Sequence, residues 1–203
     1  MRIVLKLCVL AMATASLAAP TAEAGTIYLT SLDGAREEPP NASPGTGFAW
    51  LDLDTTAHTL HIRFQFSGLL GTTTAAHIHA PTAAPFSGTA GVATQTPTFV
   101  GFPLGVTSGS YDRTFNTALD STWNAPYLAA NGGTALGAEA ALAQALAEGK
   151  AYLNIHSTFR PGGEIRGFFQ PVPEPSSVIM AASAGSVGLG AVLRGRRRER
   201  AAC

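Results

Sequence analysis

In residues 59–66, Thr-Leu-His-Ile-Arg-Phe-Gln-Phe, apolar and polar side chains alternate at all eight positions. That period of two predicts a half-buried strand with Ile62 and Phe64 on its core face. Seven further stretches are strand-like, at 26–31, 47–54, 75–79, 98–106, 109–115, 151–157 and 164–169. Pro and Gly clusters separate most of them: Glu38-Pro39-Pro40-Asn41, Ser67-Gly68, residues 81–91, and Arg160-Pro161-Gly162-Gly163. About eight short strands with turn signals between them predict an all-β fold, an antiparallel β-sandwich. The 157–163 loop is short enough to join its flanking strands as a hairpin. One segment breaks the pattern. Residues 138–148 are rich in Ala, set Leu142 and Leu146 four apart on one face, and stop at Gly149, which predicts a short amphipathic helix. With a lesser turn at 124–131 it forms a helical insertion between strands. No internal repeat and no dividing linker interrupts the domain.

The two ends follow different patterns. Arg2 and Lys6 lead into an apolar run, and Ala22-Glu23-Ala24 is a small-x-small exit, so residues 1–24 read as a secretory signal peptide with Gly25 as the mature start. Signal peptidase is then a partner, and the chain is exported. At the other end Pro173-Glu174-Pro175 precedes sixteen uncharged residues, 178–193, and a basic cluster from Arg194 to Arg200. As a helix that stretch reaches about 24 Å against about 30 Å of hydrocarbon, a short transmembrane segment that snorkelling arginines can complete. Apolar helices are therefore expected on both flanks of a central domain at 25–171. The tail, 172–203, resembles the PEP-CTERM sorting signal in its Val172-Pro173-Glu174-Pro175 element, its short span and its Arg-rich end. The resemblance implies an exosortase-type protease as partner and a transient inner-membrane intermediate. Delivery to the cell surface or extracellular matrix of a Gram-negative bacterium would follow.

Charge sharpens this division. The 203-residue chain balances 13 Lys and Arg against 13 Asp and Glu, yet residues 25–172 hold only six basic side chains (Arg36, Arg63, Arg113, Lys150, Arg160, Arg166) against ten acidic ones. A mildly acidic domain excludes nucleic acid as a partner. Both cysteines, Cys8 and Cys203, lie in the end segments, so the domain is expected to fold without disulfides.

Few residues can carry chemistry. His77 and His79 sit two apart in Ala-Ala-His-Ile-His-Ala and leave the same face of a strand. Tyr152, Asn154 and His156 share one face of another strand, and Glu164 and Arg166 begin the next. If the two segments approach, three neutral imidazoles can form a metal site with an open position, a donor set that suits copper or zinc. The structural alternative is that these histidines only bond neighbouring polar groups while Glu164 and Arg166 close the hairpin as an ion pair. His58 and His61 are expected on opposite faces of one strand, and Asp52 and Asp54 lack the remaining ligands of a calcium loop. No nucleophile elbow or phosphate loop is present in the domain.

Residues 32–40, Ser43-Pro44-Gly45-Thr46-Gly47, Phe66-Ser67-Gly68-Leu69, Ala75-Ala76-His77-Ile78-His79, Tyr152-Leu153-Asn154-Ile155-His156 and Pro161-Gly162-Gly163-Glu164-Ile165-Arg166-Gly167 together resemble the CHRD domain. That family implies a β-sandwich and no established enzymatic activity. The order His77-Ile78-His79, His156, then Gly162-Gly163-Glu164-Ile165-Arg166 is also similar to the copper ligands and active-site Arg of copper/zinc superoxide dismutases, which are Greek-key sandwiches. It implies His77, His79 and His156 as copper ligands and Arg166 as a cation that attracts an anion. The resulting expectation is a non-catalytic surface or matrix component with no certain cofactor. Two alternatives stand beside it: a copper-binding or redox domain, and an adhesion module that takes matrix polysaccharide or a surface protein through the 81–91 loop.

Overall fold

The computed structural model describes residues 25–172. Its strands are β1 (Thr26–Asp33), β2 (Thr46–Asp54), β3 (Thr59–Ser67), β4 (Thr73–His79), β5 (Gly109–Asn116), β6 (Tyr152–Ser157), β7 (Ile165–Phe168) and β8 (Gln170–Pro171). They form one antiparallel sheet in the order β4-β6-β7-β1-β2-β3-β5, and β8 continues the β7 side of the ladder on β1. In β3, Leu60, Ile62, Phe64 and Phe66 are buried while Arg63 and Gln65 point to water, as the alternation requires. β2 lies along it in continuous register, Leu51 opposite Ile62 and Leu53 opposite Leu60.

Two helices fill the connection from β5 to β6: α1 (Ala125–Ala130) and α2 (Ala135–Ala147). The Thr134 side chain caps α2 by accepting from the Gly137 N–H at 3.1 Å. Gly149, at φ +67°, follows the helix in a conformation that a side chain disfavours. Ala138, Leu142, Ala145 and Leu146 turn inward and join the core of the sheet. Buried Glu139 accepts from His58 at 3.0 Å and from the Thr117 hydroxyl, which ties the helix to the β2–β3 turn.

The expected two-sheet, Greek-key sandwich is corrected to a single curled sheet. Period-two alternation assigns each strand a buried face but does not decide whether that face meets a second sheet or the same sheet curling over. Here segment 80–108 spans the two edges. Backbone N–H groups of Ala93 and Phe99 donate to Ile78 and Ala76 along β4, and the Tyr111 hydroxyl of β5 donates to Val100. The expected strand at 98–106 is part of this strap and is not a strand; Gly101, Pro103 and Gly105 interrupt it, and Phe99 and Phe102 pack inward three apart. Among the described residues the structure supplies no flanking apolar helix, and the expected transmembrane segment at 178–193 finds no counterpart there. No helix among the described residues is long and apolar enough to cross a membrane, and those expectations fall on 1–24 and 173–203, outside the described residues.

All six residues of β6 and all four of β7 are buried, so both faces of this part of the sheet are covered. Leu153, Ile155 and Ile165 face the apolar core. The opposite face holds a buried polar layer.

Candidate metal centre

Register determines which side chains meet in that layer. His79 lies opposite Tyr152, which lies opposite Phe168; His77 lies opposite Asn154, which lies opposite Arg166. His156 faces Ala75 and is therefore diagonal to His77. The three imidazoles form a triangle with ring centres 4.7, 4.9 and 5.9 Å apart. One ligand atom from each lies within 4.8 Å of the others.

Hydrogen bonds fix the ring orientations. His79 Nδ1 faces the Ala90 carbonyl and His156 Nδ1 faces the Pro161 carbonyl, each at 2.8 Å. A carbonyl only accepts, so both Nδ1 atoms carry the proton and both Nε2 atoms present lone pairs. His77 Nδ1 stands 3.1 Å from His79 Nε2 and, without a metal, donates to it. His156 Nε2 is buried with no hydrogen-bond partner. A buried orphan acceptor is costly, and a metal ion is a partner that would satisfy it.

The donor set fits such an ion. Two nitrogens bound to one ion at about 2.0–2.1 Å stand roughly 3–4 Å apart, and small side-chain rotations bring the widest pair into that range. His77 would first move its proton from Nδ1 to Nε2. Burial makes the neutral, ligating form the resting one. It pushes His77 down to about 3, with His156 and His79 adding to the effect. It pushes His79 down to about 4 against the bond to Ala90, and it lowers His156 against the bond to Pro161.

A column of stacked groups supports one corner. The His79 ring lies parallel to Tyr152 at 4.9 Å, and the Arg166 guanidinium lies over the same Tyr152 at 4.9 Å. Arg166 is buried and donates to the carbonyls of Arg36 and Gly88. Glu37 and Glu38 approach it only to 3.9 Å. The Glu164–Arg166 ion pair of the structural alternative is not formed. Glu164 instead accepts from the Ser43 and Ser157 hydroxyls and from the Leu70 and Gly71 N–H groups. Burial alone would raise its pKa, and these four bonds together lower it.

The remaining histidines stay away from the triangle. His58, at φ +55°, binds Glu139, and His61 binds Asp112 at 2.7 Å on the outer face. Asp54 caps the β2–β3 turn through Thr56 and Ala57. Three contributors were not singled out in the sequence as parts of a metal site: the Tyr152 ring, and the backbones of 88–90 and 161 that hold Arg166 and the imidazoles. Only the alternation of Tyr152, Asn154 and His156 hinted at the first. The 81–91 loop, expected as an adhesive element, supplies the Gly88 and Ala90 carbonyls to this layer.

The CHRD domain model matches residues 28–169, well over half of the chain, and the chain belongs to that family. No curated protein and no solved structure matches it.

Proposed function

We propose that this CHRD-family chain is an exported protein whose functional centre is a copper site made by His77, His79 and His156. The carrying observation is the convergence of three buried, neutral imidazoles, two of them, His79 and His156, held by backbone carbonyls and His156 also left with an unpartnered nitrogen. Copper bound there would supply a one-electron couple and an open coordination position. The chain's own residues do the rest. The Ala90 and Pro161 carbonyls set the tautomers, Tyr152 braces His79, and the 84–90 and 157–163 segments exclude water.

Calorimetric titration of the metal-free full chain is expected to show one equivalent of copper. Each single His→Ala change should weaken it at least 100-fold. One tight equivalent that survives replacement of all three histidines would overturn the assignment.

Export, with sorting to the surface or matrix, is supported by the two terminal patterns, Ala22-Glu23-Ala24 and Pro173-Glu174-Pro175. Signal peptidase and an exosortase-type protease are the proposed partners. Intact-mass spectrometry of surface material should give a species that starts near Gly25 and ends near the Pro-Glu-Pro element. A major species that keeps Arg196–Arg198 would reject the sorting reading.

A further inference from the structure

Resting on the copper reading, we infer that the site is built for the singly charged ion, Cu(I), and that Arg166 biases it against dications. The donor set carries no charge. Three imidazoles contribute nitrogen, the outer N–H groups of His79 and His156 donate to backbone carbonyls, and among the described residues no carboxylate is hydrogen-bonded to any of the three rings. A carboxylate in that position would push negative charge onto the ligand and favour a dication; a carbonyl does not. The cost of burying an ion rises with the square of its charge, so a dication meets roughly four times the desolvation cost of a monocation here.

Arg166 adds a fixed repulsion. Its guanidinium carbon lies 4.9 Å from the Tyr152 ring centre, which lies 4.9 Å from the His79 ring centre, so the cation is at most 4.9 + 4.9 = 9.8 Å from a proposed ligand. A guanidinium stays charged at any relevant pH. Its compensation is weak: it donates to neutral carbonyls, both carboxylates stand 3.9 Å away, and burial raises Glu37 to about 7, so this neighbour is only partly ionised at neutral pH. Each unit of metal charge feels this field, and the second unit on Cu(II) or Zn(II) weakens binding roughly tenfold more at about 10 Å.

Coordination number points the same way. His77, His79 and His156 are 6%, 9% and 9% exposed, which leaves little room for the extra waters that a dication draws to complete four or more ligands. Three nitrogens satisfy Cu(I). Soft sulfur is not what selects it, because residues 25–172 contain neither Cys nor Met.

The test uses the purified full chain carrying Cys8→Ser and Cys203→Ser, so that no thiol competes for Cu(I). Cu(I) affinity is measured anaerobically by competition with bicinchoninate, Cu(II) and Zn(II) affinities by calorimetry, and the reduction potential of the copper-loaded protein by redox titration. Expected are one equivalent of Cu(I), a potential above that of the aqueous copper couple, and a roughly tenfold swing toward Cu(II) in the ratio of the two Kd values for Arg166→Gln. Glu37→Gln removes the residual negative charge beside Arg166 and should shift the ratio the other way, which provides a readout if Arg166→Gln does not fold. A wild-type potential at or below the aqueous couple overturns this inference. So does a folded Arg166→Gln, or a Glu37→Gln, that leaves the ratio unchanged. In each case the three-His site would stand. Failure to bind copper in either oxidation state overturns the underlying copper reading instead.

Discussion

His77 is pushed down to about 3 and His79 to about 4, each first by burial, so in the folded, metal-free protein neither accepts a proton at the ordinary His range near 6.5. Competition between protons and metal should therefore begin only near pH 4. Copper affinity, measured by competition between pH 7 and 4, is expected to change little above pH 5, and a tenfold fall per pH unit starting at 6.5 would contradict these environments. The same shifts govern stability with the opposite reference. Below 6.5 the unfolded chain takes up protons that the folded chain refuses, so stability falls as pH drops from about 6.5 toward 4 and 3. Glu37 opposes this. Its folded value, raised to about 7 mainly by burial, contributes stability below its unfolded pKa that is lost as pH rises through about 7. Three depressed histidines outweigh one raised carboxyl, so the unfolding free energy of the metal-free chain, measured by denaturant titration, should decline below pH 6 by roughly 1.4 kcal/mol per pH unit for each extra proton that the unfolded chain binds. Glu37→Gln removes that opposing contribution, so the fall in stability as pH drops from 7 to 5 should become steeper.

Strand β3 and the β6–β7 hairpin show how far local pattern reaches. The β3 alternation was readable because one face meets the core and the other meets water, and the energetic contrast between its faces is testable. Ile62→Ala or Phe64→Ala, both essentially fully buried, should lose about 2–5 kcal/mol in chemical denaturation. Arg63→Ala, which gives up only its exposed contact over Trp50, should lose less than about 1 kcal/mol. The hairpin was also readable, from a short Pro- and Gly-rich loop. Its pairing with β4 was not, because residues 75–79 and 152–156 are far apart in sequence and no local signal sets their register. For that reason the spacing of His77 and His79 suggested a shared face, while their meeting with His156 depended on an approach that only the folded sheet defines. Strand 98–106 misled because its Thr, Phe and Val content is strand-like although Gly and Pro break the ladder. Gly163 joins both levels: at φ +135° a Cβ there would come within 2.7 Å of Asn154 and Glu37. Gly163→Ala should cost about 1–3 kcal/mol and, by displacing the Pro161 carbonyl from His156, weaken copper binding at least tenfold in the same titration.

For the molecule as a whole, the metal and the fold should act as one equilibrium. The triangle draws two histidines from β4 and one from β6, while the bonds that orient them come from 84–90 and 157–163, so the site exists only when the curled sheet is assembled. An ion that binds this arrangement and not the unfolded chain stabilises it by RT ln(1 + [L]/Kd), about 2.7 kcal/mol when free ion is at 100 times Kd. For a domain of this size that corresponds to a rise of roughly 5–10 °C in the thermal midpoint. The reductant needed to keep copper as Cu(I) should contribute nothing itself once Cys8 and Cys203 are replaced by Ser, because residues 25–172 contain no cysteine. Three melts separate these effects. Metal-free protein with and without reductant should coincide, protein with Cu(I) should melt higher, and the triple His77→Ala, His79→Ala, His156→Ala protein should melt at one temperature whether or not Cu(I) is added. A copper-dependent rise that persists in the triple variant would place the stabilising ion on other residues and dissolve the link between this site and the fold.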